Sequence, residues 1–389
     1  MKQGQGLKIM SCFELGPIRP PSEAESVLLR LTRNCHWNRC AFCPVYKNTR
    51  FSMRSVEEVK KDIEVMARIA GIIRAELDRC YPDRKDDTPV ARLIKDLDFG
   101  EEIDRGCARQ VAFWIYYGMK SLFLQDADAL VHRTPGLLEI LGFVREKFPT
   151  IERITTYTRA DTVSRKSLED LVALRKAGLN RVHIGMESGS DRVLELINKG
   201  VTRDQAVRAG RNVIEAGFEL SEYYMPGLGG RDFSEEHARE SAAVLNEVNP
   251  TFIRLRSTIP VPGTPLHEMM TDGRWHPLTE EERVREIRLF IENLDGITSA
   301  VRSDHVMNLL EDVEGDLPEG KESMLRTLDR FLEMSADDRE LFIVGRRTGR
   351  YRYLRDYVPS QDVGLLRDEL KRRFGSVDEG VLGILAAYI

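Results

Sequence analysis

The chain is poor in residues that staple, has no run that could span a membrane, and carries no excess of positive charge. Six cysteines and three tryptophans are spread over 389 residues. So few cysteines exclude a disulfide-dense secreted scaffold. No run approaches the ~18–20 apolar residues that a membrane-spanning helix needs, so no membrane partner is expected. The opening stretch MKQGQGLKIMSCFELGP lacks the apolar core of a signal peptide, and a cytoplasmic protein is expected. Strong positive charge is also missing. The balance of 58 Lys and Arg against 63 Asp and Glu gives a net charge of −5, with the signs well mixed. Non-specific nucleic-acid binders are usually basic, so the composition leans against a nucleic-acid partner while leaving room for an RNA substrate.

What is present is a globular composition, 42% apolar and 31% charged, with length enough for a sizeable core. Six short β-rich runs stand out: 26–32, 120–126, 153–159, 181–187, 219–226 and 252–259. An amphipathic helix fits between most neighbours, and that alternation marks stacked βα units with a parallel sheet. Ser55-x-x-Glu58, Ser167-x-x-Asp170 and Thr202-x-x-Gln205 read as capped helix starts. Gly118, Gly178 and Gly217 each follow an apparent helix and precede a strand, where a left-handed turn ends the helix.

The first unit breaks this rhythm, and residues about 70–115 read as a mostly helical insertion. After Pro265 the pattern turns helical. The expected organisation is an N-terminal extension over 1–23, a barrel domain over 24–270 containing the insertion, and an α-rich C-terminal extension over 271–389.

Alternation along the strands sorts the side chains. Ile253 and Leu255 oppose Arg254, Arg256 and Thr258; Val182, Ile184 and Met186 oppose His183, Gly185 and Glu187; Glu222 and Tyr224 share a face. The apolar sets suit surrounding helices, which turns the polar sets inward. A closed eight-stranded barrel fills its centre with apolar layers. Six strands with charged inward residues instead suggest an incomplete barrel with an occupied polar interior, and the alternative is a set of buried ion pairs.

Half of the cysteines crowd into NCHWNRCAFCPVYKN, at Cys35, Cys40 and Cys43, just past the C-terminal end of the first strand. That end of a barrel strand is where barrel enzymes assemble their sites. Four readings compete: a disulfide, inert thiols, a structural zinc site lacking a fourth ligand, and an iron–sulfur cluster. Three thiolates on a [4Fe–4S] cluster leave one iron open to a small molecule.

The loop, with Phe42 just before its last cysteine, resembles that of the radical S-adenosylmethionine (radical SAM) superfamily, although the spacing here is C-x4-C-x2-C rather than C-x3-C-x2-C. Later segments extend the resemblance over roughly residues 24–270. GMESGSDRVLELINKG is similar to the fourth-strand segment of the subgroup related to anaerobic coproporphyrinogen oxidases and methylthiotransferases. MPGLGG and RLRSTIPVPGTPL resemble that subgroup's fifth- and sixth-strand segments. The resemblance implies an α/β fold of partial (β/α)6 TIM-barrel type, one [4Fe–4S] cluster held by Cys35, Cys40 and Cys43, and S-adenosylmethionine (SAM) as second cofactor. It further implies reductive cleavage of SAM, hydrogen abstraction from a small-molecule substrate, and an external one-electron donor such as flavodoxin or ferredoxin.

By the same resemblance, Phe42 touches the nucleoside, and Glu187 and Ser188 match positions associated with SAM. LFLQDADAL stands where the family has a Gly-Gly-Glu segment. Its glycines and glutamate are missing, which leaves Gln125, Asp126 and Asp128, with Thr158, to meet the methionyl ammonium. Arg254 or Arg256 would hold the SAM carboxylate or an acidic substrate through a planar fork. Tyr157, Glu222 and Tyr224 are the candidate catalytic groups, the tyrosines as hydrogen relays. Cys12, Cys80 and Cys107 have no paired spacing and are expected to be ordinary thiols, so a second cluster is not expected. Trp37 is read as packing. Methyl transfer with two SAM molecules is the enzymatic alternative, and a zinc or iron–sulfur protein without catalysis the other.

Overall fold

The computed structural model describes residues 11–100 and 102–386. The chain divides into two compact units. One comprises Met1–His36, Thr49–Thr158 and Lys166–Val182, and the other Trp37–Asn48, Arg159–Arg165 and His183–Ile389.

In chain order the elements begin with β1 (Val27–Arg30), β2 (Thr32–Arg33), β3 (Ser52–Met53) and helix α1 (Val56–Cys80). Then come α2 (Val90–Asp96), α3 (Arg105–Tyr116), β4 (Ser121–Gln125), α4 (Thr134–Lys147) and β5 (Arg153–Thr158). The run continues through α5 (Ala160–Val163), α6 (Leu168–Lys176) and β6 (Leu179–Glu187). Next are α7 (Asp191–Leu196), α8 (Arg203–Glu215), β7 (Glu219–Tyr224), α9 (Gly230–Val248) and β8 (Phe252–Leu255). The C-terminal third holds α10 (Pro265–Thr271), α11 (Glu280–Asn293), β9 (Ala300–Arg302), β10 (Gly315–Asp316), α12 (Lys321–Glu333), α13 (Ala336–Arg347), α14 (Gln361–Phe374) and α15 (Val377–Ala386).

In the first unit β1 pairs in parallel with β4, and β4 with β5. The antiparallel pair β2 and β3 brackets the cysteine loop in sequence. Helix α1 starts from a closed capping box, in which the Glu58 amide donates to Ser55 Oγ and the Ser55 amide to the Glu58 carboxylate. Its buried stripe of Val59, Ile63, Met66, Ala70, Ile73 and Leu77 recurs at helical spacing, so one face meets α3 and α4. Thr202 and Gln205 close a second box, and Ser167 caps α6. Gly118, Gly178 and Gly217 take φ of +78°, +105° and +85°, the left-handed turns expected at these helix–strand joints.

A strap from Ser11 to Ile18 crosses the first unit. Ser11 bridges to Ile103, and the Glu14 carboxylate accepts from Arg30 and Arg33. The Gly16 amide donates to Gln125 Oε1, while Gln125 Nε2 donates to the carbonyls of Gly16 and Ile18. Gly16 has to be glycine, because a Cβ there would lie 2.9 Å from the Asp126 carboxyl carbon.

The strap also corrects an expectation. Cys12 and Cys107 are not ordinary thiols but form a disulfide, 95 residues apart in sequence. Their spacing gave no hint because their proximity comes from the fold. The bridge at Ser11 and the cap of α3, where the Cys107 amide donates to Asp104 Oδ1, bring the two residues side by side.

In the second unit β7 pairs in parallel with β8 and β8 with β9, and β10 closes antiparallel on β9. Helix α11 packs against α9 and α12, and α13 to α15 form a further helical layer. The α-rich extension therefore also carries two short strands that hydrophobic patterning did not reveal. Helix α1 runs unbroken past residue 70, so the expected start of the insertion falls inside it, and α3 buries Val111, Trp114 and Ile115. Strands and helices alternate as expected, and the fold class is α/β. Among the described residues no helix is long and apolar enough to cross a membrane. Expectations for residues 1–10 and 387–389 lie outside the described residues.

Candidate active site

The sequence-predicted site residues are divided between the two units. In the first, Cys35 is half-buried, just past the β2 strand. Asp126, at the end of β4, is fully buried; its carboxylate lies 2.8 Å from Arg30 Nη2 and accepts from the Asn34 amide at 3.3 Å. Asp128 is equally buried and accepts from Thr158 Oγ1 at 2.7 Å, and its second oxygen lies 3.6 Å from His36 Nδ1. Gln125 is engaged by the strap. Tyr157 is half-buried and edge-on to Phe123, their rings 5.0 Å apart. In this unit the residue before Cys35 is thus held by the Asp126 carboxylate just past the end of β4, and the residue after it lies near Asp128.

In the second unit the loop is pinned from both sides of Ala41. Its amide donates to the Ile197 carbonyl at 2.7 Å, and its carbonyl accepts from the Leu266 amide at 3.0 Å. Phe42 packs on an apolar cluster of Ala41, Val193, Ile197, Met225, Leu228, Leu266 and Trp275. Cys40 is buried and Cys43 half-buried. Trp37 is packing, as expected. Its Nε1 donates to the Asn198 carbonyl at 2.8 Å, and its ring fills the space where a Cβ on Gly200 would be, 2.1 Å away. Arg159 Nη1 donates to Cys40 Sγ at 3.9 Å.

Glu187 ends β6 at φ +65°, a conformation uncommon for a residue with a Cβ. Its carboxylate meets Lys199 Nζ at 2.9 Å. Glu222 lies completely buried nearby. Burial, then the like charge of Glu187, push its carboxyl well above the ordinary range, while Lys199 and the Met186 amide pull the other way.

Ser188 and Tyr224 belong to a buried polar chain. His237 Nε2 donates to the Met225 carbonyl at 3.0 Å, which leaves Nδ1 to accept from Ser188 Oγ at 2.8 Å. Tyr224 stacks on His237 and on Phe290, and its hydroxyl donates to Glu286 Oε1 at 3.1 Å. Glu286 also accepts from the Gly227 amide at 2.6 Å and from Ser234 Oγ at 2.6 Å. Burial keeps His237 neutral and raises the Tyr224 hydroxyl well above its usual range. Tyr224 therefore faces α9 and α11, a correction to the inward face read from alternation. A full aromatic stack on the helix side outweighs the polar tip, which finds its partner there.

Arg254 is buried, donating to Ser221 Oγ at 3.2 Å and ion-paired with Asp304. Arg256 lies beyond the end of β8 and is exposed. Beside it, burial and then Arg256 push His305 down to about 4, against the pull of Asp304. Sequence reasoning missed Arg159, Lys199, His237, Glu286 and His305. Only Glu286 left a trace, as an acid on the apolar stripe of a helix that also carries Ile287 and Phe290.

Three thiols outside any disulfide thus lie in one loop of an α/β fold. A known family matches part of this chain. Residues 80–242 match the family model described as the Radical SAM superfamily. That match covers less than half of the chain; over that stretch the chain is similar to a radical SAM domain, a family that uses a [4Fe–4S] cluster and SAM. The matched stretch starts after the cysteine loop.

Among curated relatives, the tRNA uridine(34) acetyltransferase of Methanocaldococcus jannaschii is 26% identical over 131 residues, 33% of this chain and 24% of that protein. Elongator complex protein 3 of Mus musculus is 26% identical over 162 residues, 40% of this chain and 28% of that one. An uncharacterized methyltransferase of Pyrococcus horikoshii is 24% identical over 198 residues, 49% of this chain and 41% of its own. The chain thus spans about a quarter of the length of the acetyltransferase it matches. Among solved structures, the cobalamin-dependent radical enzyme OxsB aligns with a TM-score of 0.46 at 14% identity over 92% of this chain and 52% of that one. Coproporphyrinogen III oxidase from Escherichia coli aligns with a TM-score of 0.38 at 11% identity, over 94% and 90%.

The donor set fits the cluster. Cys35, Cys40 and Cys43 take no part in the disulfide, and thiolates are the ligands such clusters use. A guanidinium donor at Cys40 Sγ suits an anionic sulfur.

Proposed function

We propose that Cys35, Cys40 and Cys43 ligate three irons of the cluster and that the chain acts on an unidentified small molecule. A bound cluster would supply the electron for reductive cleavage of SAM, the chemistry by which hydrogen would be abstracted from the substrate. The chain's residues bind and orient. Phe42, braced on its apolar cluster, offers a face to the nucleoside. Glu187, with Ser188 beside it, receives the polar end of SAM. Asp126 and Asp128, the latter braced by Thr158, present carboxylates to an ammonium, whereas Gln125 is taken up by the strap. Arg256, exposed at the end of β8, is the better arginine for an anionic group, since Arg254 is committed to Asp304. Glu222, whose carboxyl burial raises, and half-buried Tyr157 are the candidates for hydrogen or proton transfer, whereas Tyr224 serves its helix-side stack. The electron comes from an external one-electron donor of the flavodoxin or ferredoxin kind.

The observation that carries this reading is the three-thiol loop, in a chain whose residues 80–242 match the radical SAM family. The test is anaerobic reconstitution followed by incubation with dithionite and SAM. The wild type should yield 5′-deoxyadenosine and Cys40→Ala none; product from Cys40→Ala would refute the ligand assignment. S-adenosylhomocysteine formed alongside deoxyadenosine would mark methyl transfer, the alternative that the Pyrococcus horikoshii relative favours. A second reading places an RNA substrate in the site. It draws on the tRNA uridine(34) acetyltransferase relatives, against the net charge of −5. Retention of tRNA in a gel-shift assay at physiological salt would favour it, and its absence would favour the small molecule.

A further inference from the structure

We infer that Arg159 tunes the reduction potential of the cluster through the sulfur of Cys40, an inference that rests on the ligand assignment above. The sequence shows Arg159 only as the last residue of the third β-rich run, with no metal-ligand character of its own. Its side chain is buried, and every arm is used. Nε lies 2.9 Å from Asp161 Oδ1, Nη2 donates to the Lys199 carbonyl at 2.6 Å, and Nη1 donates to Cys40 Sγ at 3.9 Å. The guanidinium also lies 5.2 Å from the Trp37 ring centroid, and Trp37 is wedged against Gly200. The fork therefore has little freedom to swing away from the sulfur.

Asp161, at 2.9 Å, offsets part of the positive charge. The residual effect on Cys40 is directional: a donor N–H aimed at one ligand sulfur, with both side chains buried. Adding an electron to a thiolate-ligated cluster makes it more negative. A donor and a cation at a ligand sulfur favour that more negative state and raise the reduction potential, as net charge and hydrogen bonds to sulfur do in such clusters generally. Arg159 is thus a positioning residue that sets how readily the cluster accepts its electron. Lysine could keep the charge but not three simultaneous directed contacts.

The test is an EPR-monitored redox titration of reconstituted wild type, Arg159→Gln and Arg159→Lys, with iron and sulfide content and melting temperature measured on each. Arg159→Gln should take up a cluster and lower the one-electron equilibrium constant for reduction about tenfold, a midpoint shift of about 59 mV to more negative potential. Arg159→Lys should fall between it and wild type. An unchanged midpoint in Arg159→Gln at wild-type iron content overturns the inference. So does equal loss of iron from both variants, which makes Arg159 a prop for the loop and nothing more. If wild type itself binds no cluster, the ligand assignment fails instead, a result separable from either of these.

Discussion

Lys199 Nζ and Glu187 Oε1 lie 2.9 Å apart, and both side chains are nearly closed to solvent. The lysine follows α7, and the glutamate ends β6 in a left-handed conformation. Gly185 leaves room for the pair, since a Cβ there would lie 2.1 Å from Glu187 Oε1. Removing one member of a buried pair strands the other's charge. Lys199→Met should therefore destabilise the protein by about 3–5 kcal/mol in urea unfolding, and Lys199→Met with Glu187→Gln by clearly less. Equal losses in the single and double variants would mean that the pair contributes nothing as a pair.

Glu222 gives the pH dependence. Burial, and then Glu187, raise its carboxyl well above the ordinary value of 4.5. A carboxyl whose folded pKa exceeds its unfolded one gives stability that is full below about pH 4.5 and lost as pH rises toward the folded value. Glu222→Gln keeps the shape and removes the titration. Its melting temperature relative to wild type should climb as pH increases above 4.5, when the two are scanned side by side. A constant difference across the range would show that Glu222 does not titrate differently on folding.

Glu286 gathers three donors: the Tyr224 hydroxyl, the Gly227 amide and Ser234 Oγ. Through them α11 holds the turn after β7. Glu286→Ala leaves these donors buried without an acceptor, and each such loss costs about 1–3 kcal/mol, so a drop on the order of 3 kcal/mol is expected in chemical denaturation. Glu286→Gln, which keeps one acceptor oxygen, should lose less. Equal losses would point to packing rather than the hydrogen bonds.

How much of this was readable in advance depended on range. The helix–strand joints were legible because a capping box and a glycine in a left-handed turn act within a few residues, as at Ser55, Gly118 and Gly217. The thiol loop was legible because its three cysteines are close in sequence. Contacts made by distant segments were not. Nothing near Cys12 announces Cys107, and nothing near Arg159 announces Cys40. Tyr224 shows the limit of alternation: period two gives its neighbours on the strand, but Phe290 and Glu286 on α11 decide which layer it joins. Strand β9 is three residues long, too short for any period to register.

The Cys12–Cys107 bridge closes a long loop and ties the strap to α3. Cross-links of this kind typically contribute about 2–4 kcal/mol. Thermal melting of the wild type should fall on adding dithiothreitol, and a Cys12→Ser, Cys107→Ser double variant should melt at the reduced temperature with or without it. A double variant that still responds to reductant would place the sensitive bond elsewhere.

The most direct measurement is iron and sulfide per chain, with EPR of the reduced protein before and after SAM is added, for wild type and for Cys35→Ala, Cys40→Ala, Cys43→Ala and Cys80→Ala. Wild type and Cys80→Ala should hold about four irons and show a signal that SAM alters, while each of the other three variants loses both. A full complement of iron in Cys40→Ala, or a wild-type signal indifferent to SAM, would contradict a cluster held by this loop with one iron left open.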